Sequence, residues 1–185
     1  MIQAVKKSTQ DKMEKSLKAL ADELKKVRTG RAQASMLDGV RVNYYGNLSP
    51  LSQVASISTP DAKSFLIAPW ESSILKEIEQ AIVKSDLGLA PMNDGKVIRL
   101  RVPDLTEERR KDLAKQVKKI AEDSRVAVRM SRRDANDEVK KALKDKAISE
   151  DENKKLESDI QKMTDDYIKK IDGLAEEKEK SILTI

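Results

Sequence analysis

The chain has 185 residues with 37 Lys and Arg against 32 Asp and Glu, a mild excess of +5, so a polyanion would have to be met by a local patch rather than by bulk charge. There is no Cys and no His, which removes thiol nucleophiles, disulfides, common zinc sites and every His-based acid–base arrangement. Aromatics make up 3% and charged residues 37%, a composition that argues against base-stacking platforms and resembles that of long helices.

The N-terminal "MIQAVKKSTQDKMEK" is amphipathic and polar, unlike a secretory signal or a transit peptide, and no apolar run approaches the ~20 residues that span a bilayer. A cytoplasmic protein with no membrane partner is expected. From Ile2 to Val27 the apolar positions Ile2, Val5, Met13, Leu17, Leu20, Leu24 and Val27 follow steps of three and four, with Thr9 halving the one gap of eight. They mark one face of a helix that stops at Thr29-Gly30.

Residues 31–103 change character. They hold all five prolines, most of the glycines and most of the β-branched alternation. "VRVNYYG" predicts a strand ending in a turn at Gly46-Asn47, and "VASIST", "SFLIAP" and "KVIRLRV" predict further strands. Ser72 or Ser73 is placed to cap a helix over "ILKEIEQAIVKSDLG", ending at Gly88. This is a small α+β domain inserted between residues 1–29 and 106–185. Two short connections follow, at 29–31 (Thr29, Gly30, Arg31) and at 103–106 (Pro103, Asp104, Leu105, Thr106). Paired short links suggest a hinge, with a rigid corner as the alternative.

Pro103 bars a helix from running through it, Thr106 suits an N-cap, and Glu107 and Glu108 favour the positive end of the helix dipole. The seam of this second long helix is Leu113, Val117, Ile120, Ser124, Val128, Ser131, Ala135, Val139 and Ala142, and nothing breaks it until about Lys146. A third run opens at "SEDE", where Ser149 and Glu152 have capping-box spacing, and continues through Leu156, Ile160, Met163, Tyr167, Ile171 and Leu174. None of the three stripes can be buried alone. Together they predict an antiparallel three-helix bundle, and an open coiled-coil dimer is the alternative. The short break at Ala147-Ile148 favours a hairpin within one chain, hence a monomer of α+β class.

The second long helix also carries a charge pattern. At ~100° per residue, with Arg125 at zero, Arg129 falls near 40°, Arg132 near −20° and Arg133 near 80°, about 110° from the seam on average. Lys111, Lys115 and Lys118 extend the arc backwards, and Asn136 and Lys140 extend it forwards. The acids Asp112, Asp123, Asp134, Asp137 and Glu138 collect elsewhere, and Glu122 alone interrupts the arc. A surface built for solubility interleaves both signs; here they are sorted into a strip of ~43 Å. Arg forks suit phosphates, and a rigid basic strip poor in aromatics reads backbone shape, as in structured RNA. A merely solvated face is the alternative. "KKVRTGRA" adds Arg28 and Arg31 around Gly30, where complementation of a helix C-terminus would equally account for Arg28. No GxxxxGK[ST] loop is present, so nucleotide energy would have to come from a partner.

The stretches "VRTGRA…LDGVRVNYYG", "DGKVIRLRVP.LTEERRK", "VRMSRRDANDEVK" and "ISEDE" resemble the bacterial ribosome recycling factor family along essentially the whole chain. The resemblance implies an L-shaped protein in which a long three-helix bundle and a small β/α/β domain are joined by a two-strand hinge. It implies a non-enzymatic factor without a cofactor that binds the 70S ribosome through large-subunit rRNA. With elongation factor G, which uses the GTP, such a factor splits the post-termination ribosome into subunits. Carried onto this chain, Arg28 and Arg31 match the family's "RTGR" arginines, and Arg129, Arg132 and Arg133 match those of "R..RRDAND". The hinge falls at Thr29-Gly30 and Pro103–Thr106. Arg125 and Lys118 join the RNA-facing set from the strip itself. Without the resemblance, a non-ribosomal coiled-coil protein binding RNA or DNA through its Arg-rich helix remains open.

Overall fold

In the computed structural model of the chain, which describes residues 1–184, the first apolar stripe folds as helix α1 (Ile2–Lys26). Its polar position is absorbed locally, because the buried Thr9 hydroxyl donates to the Val5 carbonyl at 2.8 Å. After the middle of the chain come two long helices, α4 (Glu107–Lys144) and α5 (Glu150–Leu183). Contacts divide the described chain into one unit of Met1–Arg28 with Glu107–Thr184 and another of Thr29–Thr106.

In the first unit α1, α4 and α5 bury their stripes against one another. The seam of α4 is covered within the chain, which removes the face that a coiled-coil dimer would need. The capping box at α5 is present: the Ser149 hydroxyl accepts from the Glu152 backbone N–H, and the Glu152 carboxylate accepts from the Ser149 N–H. Between the helices, Lys146 takes a left-handed φ of 58°, its N–H bonds the Leu143 carbonyl, and the Ala147 N–H bonds that of Ala142. That pair of bonds is a Schellman ending without its usual glycine.

Along α4 and α5 the stripes differ from expectation at three positions, and on α1 the expected Ile2 and Leu17 are only half-buried. Ala121, Thr164 and Ala175 are buried where Ile120, Met163 and Leu174 were expected, and each larger neighbour is only half-buried. Closely approaching helices leave room for small side chains on the centre line and push bulk to the flanks. Thr164 meets the polar cost by donating to the Ile160 carbonyl at 2.8 Å.

The second unit begins with the hairpin β1 (Arg41–Tyr44) and β2 (Asn47–Pro50), followed by a single helical turn, α2 (Leu51–Val54). Strands β3 (Ala55–Asp61), β4 (Ser64–Pro69), β5 (Pro91–Asn93) and β6 (Ile98–Arg101) form an antiparallel sheet in the order β3-β4-β6-β5. Helix α3 (Leu75–Lys84) adds Leu75, Ile78 and Ile82 to a core that includes Val42, Phe65, Ile67, Ile98 and Leu100. The α+β class and the inserted sheet domain are therefore as expected, with corrections of detail. The hairpin turn is Tyr45-Gly46, one residue early, with both φ angles positive (48° and 84°) as a tight two-residue hairpin requires. Neither Ser72 nor Ser73 caps α3; both lie in a tighter helical turn, Ser72–Ile74, that leads into it. The helix ends at Lys84 rather than Gly88, because the Ser85 hydroxyl takes the Ile82 carbonyl at 2.6 Å and Asp86 turns left-handed. Strands β2 and β5 escaped the sequence reading, since each is short and carries a proline at one end.

Candidate nucleic-acid interface

The α4 seam reaches Ser124, Val128, Ser131 and Ala135 at its centre, all buried. Both serines are satisfied, Ser131 by the Ala127 carbonyl of its own helix at 3.1 Å and Ser124 by the Ser16 carbonyl of α1 at 3.4 Å. This small-residue seam rotates the arginine arc out along the α5 side of the bundle.

Arg125 is the arginine whose surroundings differ most from expectation. Its side chain is only 24% exposed, and it meets the Asp172 carboxylate on α5 through Nε at 2.8 Å and Nη2 at 2.7 Å. Its Nη1 also meets Glu122 at 3.0 Å. Burial works against the Arg125 charge, but hydrogen bonds to Asp172 and Glu122 outweigh it and raise the pKa above its ordinary value. The head of Arg125 is thus tied inward between two helices instead of standing in solvent.

Further along the arc the arginines open outward. The Arg129 side chain is 42% exposed, with Nη1 bonded to Glu122 at 3.1 Å. Arg132 is half-buried and donates through Nη1 to Gln161 of α5 at 3.3 Å; Gln161 is itself oriented by donating to Asp165 at 2.9 Å. Arg133 is exposed and enters no ion pair among the described residues. Lys118 is exposed, while Lys111 pairs with Glu107 at 3.0 Å. On α5, Asp172, Glu176 and Glu179 line a shallow trough that has Arg125 and Arg129 on its other wall. Among the arginines of the strip Arg125 is therefore drawn in by the α5 acids, and Arg129, Arg132 and Arg133 remain as its outward-facing guanidinium groups.

Sequence reasoning missed the partners on α5. Helical spacing would have found them, because Asp165, Asp172, Glu176 and Glu179 fall within ~60° of one another. It had no way to tell that this face would lie against the arginines.

Arg28 is exposed just beyond α1, and Arg31 is exposed in the second unit. Thr29 is buried and Gly30 has φ 77°, a conformation that favours glycine. The Ala32 N–H bonds the Ala62 carbonyl at 2.7 Å, which anchors the first link as it enters the sheet domain. On the way out, the Val102 N–H bonds the Lys63 carbonyl at 2.8 Å, and the Lys63 ammonium pairs with Asp104. One turn, Ala62-Lys63, thus holds both connections. Pro103 and Asp104 are exposed, Leu105 is half-buried, and Thr106 directly precedes α4.

Elsewhere in the second unit the Tyr44 and Tyr45 hydroxyls both donate to Glu71 at 2.8 Å, and the two rings meet edge-on with centroids 4.6 Å apart. These bonds hold the Glu71 carboxyl below its ordinary pKa and raise both phenols. Among the described residues no group of acidic side chains could hold a metal ion, and no helix is long and apolar enough to cross a membrane.

Known proteins are similar to this chain in sequence and architecture. The family model described as ribosome recycling factor matches residues 20–183. The ribosome-recycling factor of Bdellovibrio bacteriovorus is 81% identical over 181 residues, covering 98% of this chain and 97% of that protein. The ribosome-recycling factor of Solidesulfovibrio magneticus is 52% identical over 184 residues, covering all of both chains. Among solved structures, the solution structure of a ribosome recycling factor is similar with a TM-score of 0.76 and 36% identity, covering 100% of this chain and 98% of the other. A second is the T. thermophilus ribosome recycling factor, described with E. coli elongation factor G bound to the E. coli post-termination complex. It has a TM-score of 0.64 and 45% identity, with 99% of each chain covered.

Proposed function

Because the chain belongs to the ribosome recycling factor family, we propose that it binds the post-termination ribosome and, with elongation factor G and GTP, promotes its separation into subunits and the release of mRNA and tRNA. It is a translation factor of the cytoplasm with no reaction of its own. The chain lacks a phosphate-binding loop, so GTP hydrolysis belongs to the partner.

The observation that carries the RNA-directed part is the placement of Arg129, Arg132 and Arg133 on one arc of α4 that Glu122 alone of the neighbouring helix acids enters. A rigid helix bearing guanidinium groups and no aromatic neighbours suits the phosphates and 2′-hydroxyls of folded rRNA. Lys118, Arg28 and Arg31 supply further phosphate contacts in this reading, and Arg125 braces the helix that carries them. The links at 29–31 and 103–106 act as the hinge on which the sheet domain responds to elongation factor G.

A light-scattering assay on post-termination ribosomes tests the function. Subunits should separate only when the chain, elongation factor G and GTP are all present. If no release depends on the chain, the proposal fails.

A further inference from the structure

Glu122 poses a problem for the RNA-facing reading. It is a half-exposed carboxylate inside a strip otherwise sorted for positive charge, and by Coulomb's law it should repel the phosphates that the strip meets. Yet its two oxygens are divided between two arginines one helical turn apart. Oε2 meets Nη1 of Arg125 at 3.0 Å, and Oε1 meets Nη1 of Arg129 at 3.1 Å. Arg125 is in turn locked to Asp172 on α5. The chain of contacts therefore runs from a helix of the bundle, through a half-buried arginine, to a carboxylate, and ends on the outward-facing Arg129.

We infer that Glu122 is a positioning residue for RNA binding: anchored through Arg125 to Asp172, it holds the Arg129 guanidinium in its binding orientation at the centre of the open cationic arc. This rests on the reading of that arc as the RNA-facing surface. A free Arg side chain has rotamer freedom to lose on meeting a phosphate. Glu122 takes one edge of the Arg129 fork in advance and leaves the guanidinium's other N–H groups for the ligand. The same two contacts hold the Glu122 carboxyl below its ordinary pKa, so it stays ionised and able to hold both arginines at neutral pH. The Asp165–Gln161–Arg132 relay repeats the arrangement one turn further along.

The sign of a mutation separates positioning from simple charge. If Glu122 is only a repelling charge, Glu122→Gln and Glu122→Ala should both tighten binding to 70S ribosomes. If it positions Arg129, affinity should fall in the order wild type, Glu122→Gln, Glu122→Ala. The alanine variant should lose about three- to tenfold, the range that ordering one flexible side chain in advance supplies. In an Arg129→Ala background, Glu122→Ala should then have no further effect. Thermal melts of each full-length variant check that the bundle is intact, and the half-exposed Glu122 tolerates either change. Tighter or unchanged binding by Glu122→Ala overturns the inference, as does a full loss that persists without Arg129. Failure of the underlying reading looks different: Arg129→Ala and Arg132→Ala would then leave ribosome affinity and its salt dependence unchanged.

Discussion

Arg125 on α4 and Asp172 on α5 are joined by two short contacts, 2.8 Å from Nε and 2.7 Å from Nη2, both to the same carboxylate oxygen. This pairing divides the arginines of α4 into a structural one and an outward-facing set. Arg125 covers the flank of the bundle with its aliphatic stem and ties two helices together. Arg129, Arg132 and Arg133 present their charge outward.

The division predicts separable phenotypes. Arg125→Ala should destabilise the bundle by about 1 kcal/mol, a modest value because Asp172 is half-exposed. Its ribosome binding should keep the wild-type salt slope. Arg132→Ala with Arg133→Ala should leave urea unfolding within about 0.5 kcal/mol of wild type. That double variant should also flatten the dependence of log K on log salt by about one for each phosphate that is no longer neutralised. Urea titrations beside binding measured from low to moderate salt check both. Equal effects of the two variants on both readouts would show that the arc is not divided in this way.

Tyr167 supplies a pH dependence. It is 5% exposed on α5, and its hydroxyl donates to Glu14 of α1 at 2.7 Å. Burial, and then the hydrogen bond to Glu14, push its pKa up to about 12. Between the ordinary tyrosine value near 10 and about 12, the unfolded chain has lost a proton that the folded chain keeps, so stability falls as pH rises through this window. Tyr167→Phe removes both the bond and the titration. Wild type should exceed the variant by about 1 kcal/mol at pH 8, and the gap should narrow as pH rises above about 10. Urea midpoints of the two proteins across that range measure it. A gap that stays constant would show that Tyr167 keeps an ordinary pKa.

Lys63 governs how firmly the outgoing link is held. Its ammonium pairs with Asp104, while its carbonyl accepts from the Val102 N–H. Lys63→Ala removes the first contact and spares the second. Backbone order parameters at Asp104 and Leu105 should fall, with Val102 and Ala32 unchanged. If all four positions loosen together, the Ala62-Lys63 turn itself depends on the side chain.

The sequence by itself determined the three long helices, because apolar residues recurring every three or four positions leave a helix only one way to hide them. Local chemistry was legible for the same reason: Ser149 and Glu152 cap α5 through atoms three residues apart, and the arginine arc follows from rotation about one axis. Side-chain bulk misled at Ile120, Met163 and Leu174, since which position lies buried between packed helices, here Ala121, Thr164 and Ala175, is not written in any one helix. The short strands β2 and β5 depend on neighbours that pair with them, and neither carries enough alternation to announce itself. Only the tertiary structure decided which face of α5 lies beside the arginines. That choice turned Arg125 from one cation among several into the anchor of an interhelix network. It also placed Glu122, an apparent flaw in a basic strip, between the two arginines it holds.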